Sequence, residues 1–291
     1  MNIPLVSICI PTYNGAQFIV EAMESAINQT YPNLEIIVSD DVSNDATLKI
    51  IEAYKEKTDI PIHIFHHEPN GIGANWNNCI KHAKGEYIKL LFQDDVLLPS
   101  CIQEMVHVLE NDKSIGLVAS KRTFIIENDY HTTATKEWVA IYGDLQKELH
   151  LPLINGVRIL DKKLFKSHLF LKSPLNKVGE PPVTLFRSKL VKEIGYFKED
   201  LKQILDYEFY YRVLKKYKIA ILEKELVQFR LHPQQATNVN SGNDENEDVK
   251  YDYIIYKEYF WYVPWRLQQA MLRKYNVFIK FIMKIYNKIS I

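Results

Sequence analysis

The chain has 291 residues, 47% of them hydrophobic and 25% charged, the balance of a soluble globular protein with a sizeable core. Its 36 basic and 36 acidic side chains cancel, which removes any general pull towards nucleic acid. Cys9, Cys79 and Cys101 are scattered without metal-ligand spacing, so neither a disulfide framework nor a zinc site is expected, and no run approaches the roughly 20 apolar residues of a spanning helix.

The opening MNIPLVSICIP lacks a basic n-region and a long apolar core; no signal peptide is expected, and a reducing cytoplasm is the expected compartment. Residues 5–11 form a β-branched apolar run ended by a proline, which predicts a strand. Helical spacing follows over 16–28, a second strand over 34–40, then a helix capped by Asp45 that runs through Ile51 and Tyr54. A third strand is predicted over 60–65. After the Asn70–Gly71 turn, 75–84 reads as a helix ended by Gly85, and 87–92 as a fourth strand. Strand and helix alternating at these intervals require crossover connections and a largely parallel sheet, in which ligands bind beyond the carboxyl ends of the strands. Those ends carry polar clusters: Pro11-Thr12-Tyr13-Asn14, Asp40-Asp41 and Gln93-Asp94-Asp95.

The middle of the chain is less regular. A helix is expected over 102–110 and a strand over 115–120. GEPPVTLFR (179–187) joins a proline-stiffened turn to a short strand. An amphipathic helix is expected over 205–217 and a strand over 226–232. Residues 237–248 are polar, acidic and glycine-bearing, the composition of a mobile loop. From Tyr251 onward the chain turns aromatic and basic. No internal repeat is present.

The adjacent Asp94 and Asp95 close a strand predicted to be buried. Repulsion and desolvation disfavour such a pair unless positive charge compensates it. A divalent cation would do so; carboxylate oxygens suit magnesium or manganese, whose other ligands come from water and phosphate. The implied substrate then carries a diphosphate.

VSICIPTYNGAQF, EIIVSDDVSNDAT, AKGEYIKLLF and QDDVLLP follow the order and spacing of P-x-Y-N, D-D-x-S-x-D, A-x-G-x-Y-I and a terminal D-D. In these motifs the first 235 residues or so resemble the family 2 glycosyltransferases of the GT-A fold. The resemblance implies an α/β, Rossmann-like, mostly parallel sheet flanked by helices, with a helical C-terminal extension. Residues 1–98 would form the nucleotide-sugar half, 99–236 the acceptor half, 237–250 a flexible loop that closes as a lid, and 251–291 the extension. It also implies a metal-dependent, inverting transfer of a sugar from a nucleoside-diphosphate donor, UDP- or dTDP-sugar favoured, to a hydroxyl of a glycan or lipid-linked acceptor in surface polysaccharide synthesis. Pro11, Thr12, Tyr13, Asn14, Asp41 and Asp94 would bind the nucleotide; Asp95 and His232 would hold Mn2+ or Mg2+. Asp206 would be the general base, with Glu208 as a second choice. Glu180 would serve the acceptor or brace its turn, and Arg230 would pair with phosphate. Gln93 departs from the aspartate of many relatives and can donate as well as accept. A nicotinamide fold is disfavoured, because Pro11-Thr12-Tyr13-Asn14-Gly15 stands where G-x-G-x-x-G should pass a pyrophosphate. A non-catalytic scaffold of the same fold is the alternative, and Asp95 and Asp206 speak against it. The C-terminal segment has two open readings: helices packed on the domain or in a homodimer, or peripheral contact with the inner face of an anionic membrane.

Overall fold

A computed structural model describes residues 3–235 and 247–281. Strand β1 (Val6–Thr12) lies between β2 (Leu34–Asp40) and β4 (Tyr87–Leu90), parallel to both, and β3 (Ile62–His66) extends the sheet beyond β2. All seven residues of β1 and of β2 are buried, so these strands read as continuous apolar runs rather than alternating ones. The order β3-β2-β1-β4 reverses direction at β1, which opens a crevice beyond the carboxyl ends of β1 and β4.

Helices α1 (Ile19–Ile27), α2 (Thr47–Tyr54) and α3 (Ile72–His82) make the crossovers. Asp45 stands one residue before the N-cap of α2, which is Ala46, rather than at it; its Oδ1 accepts from the Thr47 amide at 2.9 Å, while Oδ2 accepts from the Ala16 amide at 3.0 Å. At Gly85, where the chain turns into β4, a Cβ would sit 2.6 Å from the Ser7 amide nitrogen, so only glycine fits.

The second half widens the sheet. Strand β5 (Val96–Leu97) precedes α4 (Cys101–Asn111), β6 (Ile115–Ile126), α5 (Thr133–Tyr142) and β7 (Val157–Leu160). Then come β8 (Thr184–Arg187), α6 (Leu190–Ile194), α7 (Leu205–Lys216) and β9 (Lys218–Leu231). The full order is β3-β2-β1-β4-β8-β6-β9-β5, with β7 also on β9. The first four strands are parallel, as expected. Beyond β4 the sheet is mixed, because β8 is antiparallel to both β4 and β6, and β9 takes β5 and β7 antiparallel. Strand β6 runs six residues past its predicted end at Ser120, and register shifts around Ser120–Arg122 hide that continuation from a periodicity reading. Helix α5 was invisible to pattern because it buries only Thr135.

The C-terminal segment begins with α8 (Glu247–Glu258), which packs back on the domain: Tyr251, Ile255 and Tyr259 are buried, and Glu258 pairs with Lys198 at 2.6 Å and Lys215 at 3.3 Å. Helix α9 (Trp265–Tyr275) follows. Among the described residues no helix is long and apolar enough to cross a membrane. Residues 237–246 of the expected loop and lid lie outside the described residues, as do 282–291.

Candidate active site

Two polar regions meet along β9. At the crevice, the buried Thr12 hydroxyl donates to Asp40 Oδ1 at 2.8 Å, and the Ser43 hydroxyl and amide donate to the same carboxylate at 2.6 and 2.8 Å. Thr12 and Asp40 thus form the floor beneath the crevice rather than its lining. Tyr13, next along, is 56% exposed, which excludes a core role. Its amide donates to Gln93 Oε1 at 2.9 Å and its carbonyl accepts from Gln93 Nε2 at 3.1 Å. A carboxylate at position 93 could only accept; glutamine closes both ends of this clip. Gly15 lets the amide approach, since a Cβ there would meet Gln93 Oε1 at 2.2 Å.

Asn14 sits in the left-handed region at φ 46°. It does not cap α1, which begins at Ile19; instead its amide donates to the Ser43 hydroxyl at 2.8 Å and its Oδ1 accepts from the Asn44 amide at 2.9 Å. Asp41 accepts nearby: its Oδ1 lies 2.6 Å from His67 Nδ1. Burial raises the Asp41 carboxyl pKa, against the hydrogen bond and charge of His67. His67 escaped the sequence reading, although it follows the end of β3 and so reaches the same sheet edge as the other clusters.

The acidic pair divides its tasks. Asp95 is buried; its Oδ1 accepts from the Arg230 amide at 2.9 Å, and its Oδ2 is buried without a hydrogen bond to a described residue. Burial and then the charge of Asp94 push the Asp95 carboxyl well above the usual range. Asp94 instead meets His232, Nε2 to Oδ2, at 3.0 Å. Burial opposes the charged imidazole, yet the hydrogen bond and charge of Asp94 outweigh it and raise the His232 pKa. His232 therefore joins Asp94 rather than Asp95. Positive charge does accompany the pair: the Arg230 guanidinium opposes the rise at Asp95, whereas Lys89 on β4 is fully buried and burial lowers its pKa.

Arg230 is already engaged. Its Nε donates to the Asp94 carbonyl at 2.9 Å, Nη2 to Glu21 at 2.8 Å and Nη1 to Glu127 at 2.5 Å, and it lies over the Phe18 ring at 4.8 Å. It fixes the loop that carries Asp94 against α1.

Strand periodicity links this edge to the second region. Arg230 and His232 point to the acidic pair, while Phe229 and Leu231 line a cavity of about 560 Å3. Asp206, at the start of α7, lies in its wall. Its Oδ2 accepts from Asn176 Nδ2 at 2.8 Å and its Oδ1 from the Tyr207 amide at 2.7 Å. Burial, aided by the negative charge of Glu180, raises the Asp206 pKa to about 7, although these hydrogen bonds pull it down. Glu180 also lines the cavity and is held by Arg122, whose Nη2 donates at 2.8 Å. Glu208 is elsewhere: its fully buried carboxylate is gripped by Arg212 at 2.9–3.1 Å and lies 3.0 Å from Lys198, and it is not part of the cavity wall. Arg122 and Asn176 carried no sequence signal, since tertiary packing alone brings them to Glu180 and Asp206.

The chain matches the family model Glycosyl transferase family 2 over residues 7–195, and it belongs to that family. An uncharacterized glycosyltransferase of Rickettsia typhi is 32% identical over 235 residues, covering 81% of this chain and 66% of that protein. One from Rickettsia felis is 30% identical over 271 residues, covering 87% of this chain. The chain spans less than two thirds of these relatives, only 38% of the R. felis protein. Among solved structures, S. aureus TarS (1–349) in complex with UDP-GlcNAc superposes with a TM-score of 0.61 at 19% identity, over 93% of this chain and 73% of that one. The mannosyltransferase PcManGT from Pyrobaculum calidifontis, in complex with GDP-Man and Mn2+, gives 0.58 at 15% identity, over 100% and 81%. These likenesses establish the GT-A fold.

Proposed function

We propose that this chain transfers a sugar, with inversion, from a nucleoside-diphosphate donor seated at the β1–β4 crevice to a hydroxyl held in the Asp206 cavity. The observation that carries this reading is β9 itself: successive residues serve the Asp94–His232 pair and the wall of the cavity that holds Asp206. In the transfer, the acceptor oxygen bonds to the anomeric carbon as that carbon's bond to the diphosphate oxygen breaks. The hydroxyl proton passes to Asp206, and the nucleoside diphosphate leaves with the bonding electrons. A carboxylate with a pKa near 7 suits this proton transfer at neutral pH.

Asp94 and His232 would hold a divalent cation such as Mn2+ or Mg2+ in place of the proton that now joins them, which leaves a carboxylate oxygen and an imidazole nitrogen side by side. No group of three or more His, Cys, Asp or Glu gathers among the described residues, so the donor diphosphate and water would complete the shell. Bound there, the cation supplies charge neutralisation for the leaving diphosphate. In this reading Asp95 braces the pair from below, tied to the Arg230 main chain. Asp41 reads the base. His67 occupies Oδ1 and Asn75 also hydrogen-bonds the carboxylate, so little acceptor capacity remains, which suits the single ring N–H of uracil or thymine better than the two adjacent donors of guanine.

The acceptor we favour is a growing surface glycan, free or lipid-linked. Trp261 and Trp265 are exposed, as are Phe278 and Phe281, and Arg266, Arg273, Lys274 and Lys280 stand among them, a composition suited to an anionic membrane surface. Thermal-shift titration with UDP, dTDP and GDP, with and without manganese, tests the donor reading: UDP or dTDP should raise the melting temperature, more so with manganese. A shift with GDP alone, or with none of the three, contradicts it.

A further inference from the structure

The Asp206 cavity carries a chemical signature beyond its carboxylates. Tyr130, Trp138, Tyr142, Tyr207 and Phe229 all line it, so aromatic side chains supply much of its apolar wall. Trp138, half-buried on α5, is stacked near-parallel to Phe229, with 16° between planes and 6.4 Å between centroids, and lies 5.0 Å from Tyr142. Asn176, Gln203 and Gln235 line the same space beside Asp206 and Glu180. No lysine, arginine or histidine lines it among the described residues; Arg122 pairs with Glu180 but is not part of the wall.

We infer that the cavity takes a neutral pyranose ring of the acceptor, with Trp138 as its stacking platform. This inference rests on the proposed glycosyl transfer and narrows the acceptor. A phosphate or carboxylate would enter beside two carboxylates with no cation in the wall, which electrostatics disfavours. Asn176 and Gln235 already have partners within the chain, but an acyl chain would strip water from the Asp206 and Glu180 carboxylates and offer them no donor. A sugar ring meets both demands: its C–H faces pack on aromatic planes, and its hydroxyls donate to the Asp206 and Glu180 carboxylates at the edge. At about 560 Å3 the cavity is within the usual range of small-ligand sites. Trp138 is thus a specificity-determining residue, on a helix whose sequence gave no periodic signal.

The test is saturation-transfer NMR on the full chain and on Trp138→Phe and Trp138→Leu. The probes are methyl glycosides of glucose, galactose, mannose and N-acetylglucosamine, with glycerol 3-phosphate and octanol as controls. At least one neutral glycoside should receive saturation through its ring C–H protons. Trp138→Leu, which keeps apolar bulk, should weaken that binding about tenfold, while Trp138→Phe retains most of it. A role in packing alone would be satisfied equally by leucine and phenylalanine. Preferential binding of glycerol 3-phosphate or octanol, no binding of any neutral glycoside, or equal binding by both variants and the parent overturns the inference. UDP-induced thermal shifts measured in parallel separate the two levels: intact shifts with a failed sugar arm sink this inference alone, whereas absent shifts in the parent chain sink the donor reading with it.

Discussion

The proposed donor edge and acceptor cavity both rest on carboxylates, but they give those carboxylates different partners. At the edge, Asp40 has three donors, Asp41 has His67, Asp94 has His232, and Asp95 has one main-chain N–H and the nearby charge of Arg230. In the cavity, Asp206 has two neutral donors and a negative neighbour, and its pKa rises to about 7. In the proposed mechanism the edge holds a cation and a diphosphate, and Asp40 and Asp94 there are paired with donors, while burial raises the pKa of Asp41 and Asp95. A region that must exchange a proton leaves its acid poised between states.

That contrast predicts separable defects, and the largest belongs to Asp206. Asp206→Asn should lower transfer by about 10²–10⁴-fold while UDP binding by calorimetry is unchanged. Near-parental turnover would remove Asp206 from its role. Asp94→Asn should do the reverse, weakening manganese-dependent UDP binding by at least about tenfold; unchanged binding would place the cation elsewhere.

The pH dependence follows with a defined sign. A base must be deprotonated, so transfer should rise through pH 7 and level off above it, and Glu180→Gln should move that limb to lower pH by removing the neighbouring negative charge. The same shift acts on stability. The folded state holds the Asp206 proton up to about pH 7, whereas the unfolded chain releases it near pH 4, so the folded state bears a penalty that is absent below about pH 4 and complete above about pH 7. Asp206→Asn should therefore melt higher than the parent at pH 8, with the gap closing at pH 4. A gap independent of pH would contradict the assignment.

The smallest expected effect tests the clip at the donor edge. Gln93→Glu keeps the shape but replaces the amide donor to the Tyr13 carbonyl with an acceptor, and should cost about 1 kcal/mol in chemical denaturation. No loss would mean that the clip contributes nothing to the folded state.

The two regions also differ in how far their chain segments announce them. Strands β1, β2 and β4 were legible because burial on both faces makes continuous apolar runs, and each run ends in the polar residues of the crevice. Asp206, Glu180, Arg230 and His232 were singled out through the family resemblance. The partners that tune them were not. His67 lies one residue past a short strand; Asn176 lies in an irregular stretch; Arg122 follows a shift in strand register; Trp138 sits on a helix without an apolar stripe. Each acquires its role from packing across dozens of residues, and local pattern carries no record of that.

In the proposed mechanism donor and acceptor occupy the two sides of the end of β9, with the cation at Asp94 and the proton acceptor at Asp206. Crystals soaked with UDP and manganese put this arrangement to the test. Metal density should touch Asp94, His232 and the diphosphate, with uracil at Asp41 and the Asp206 cavity free of nucleotide. Nucleotide bound against Asp206, or manganese held away from Asp94, would contradict it.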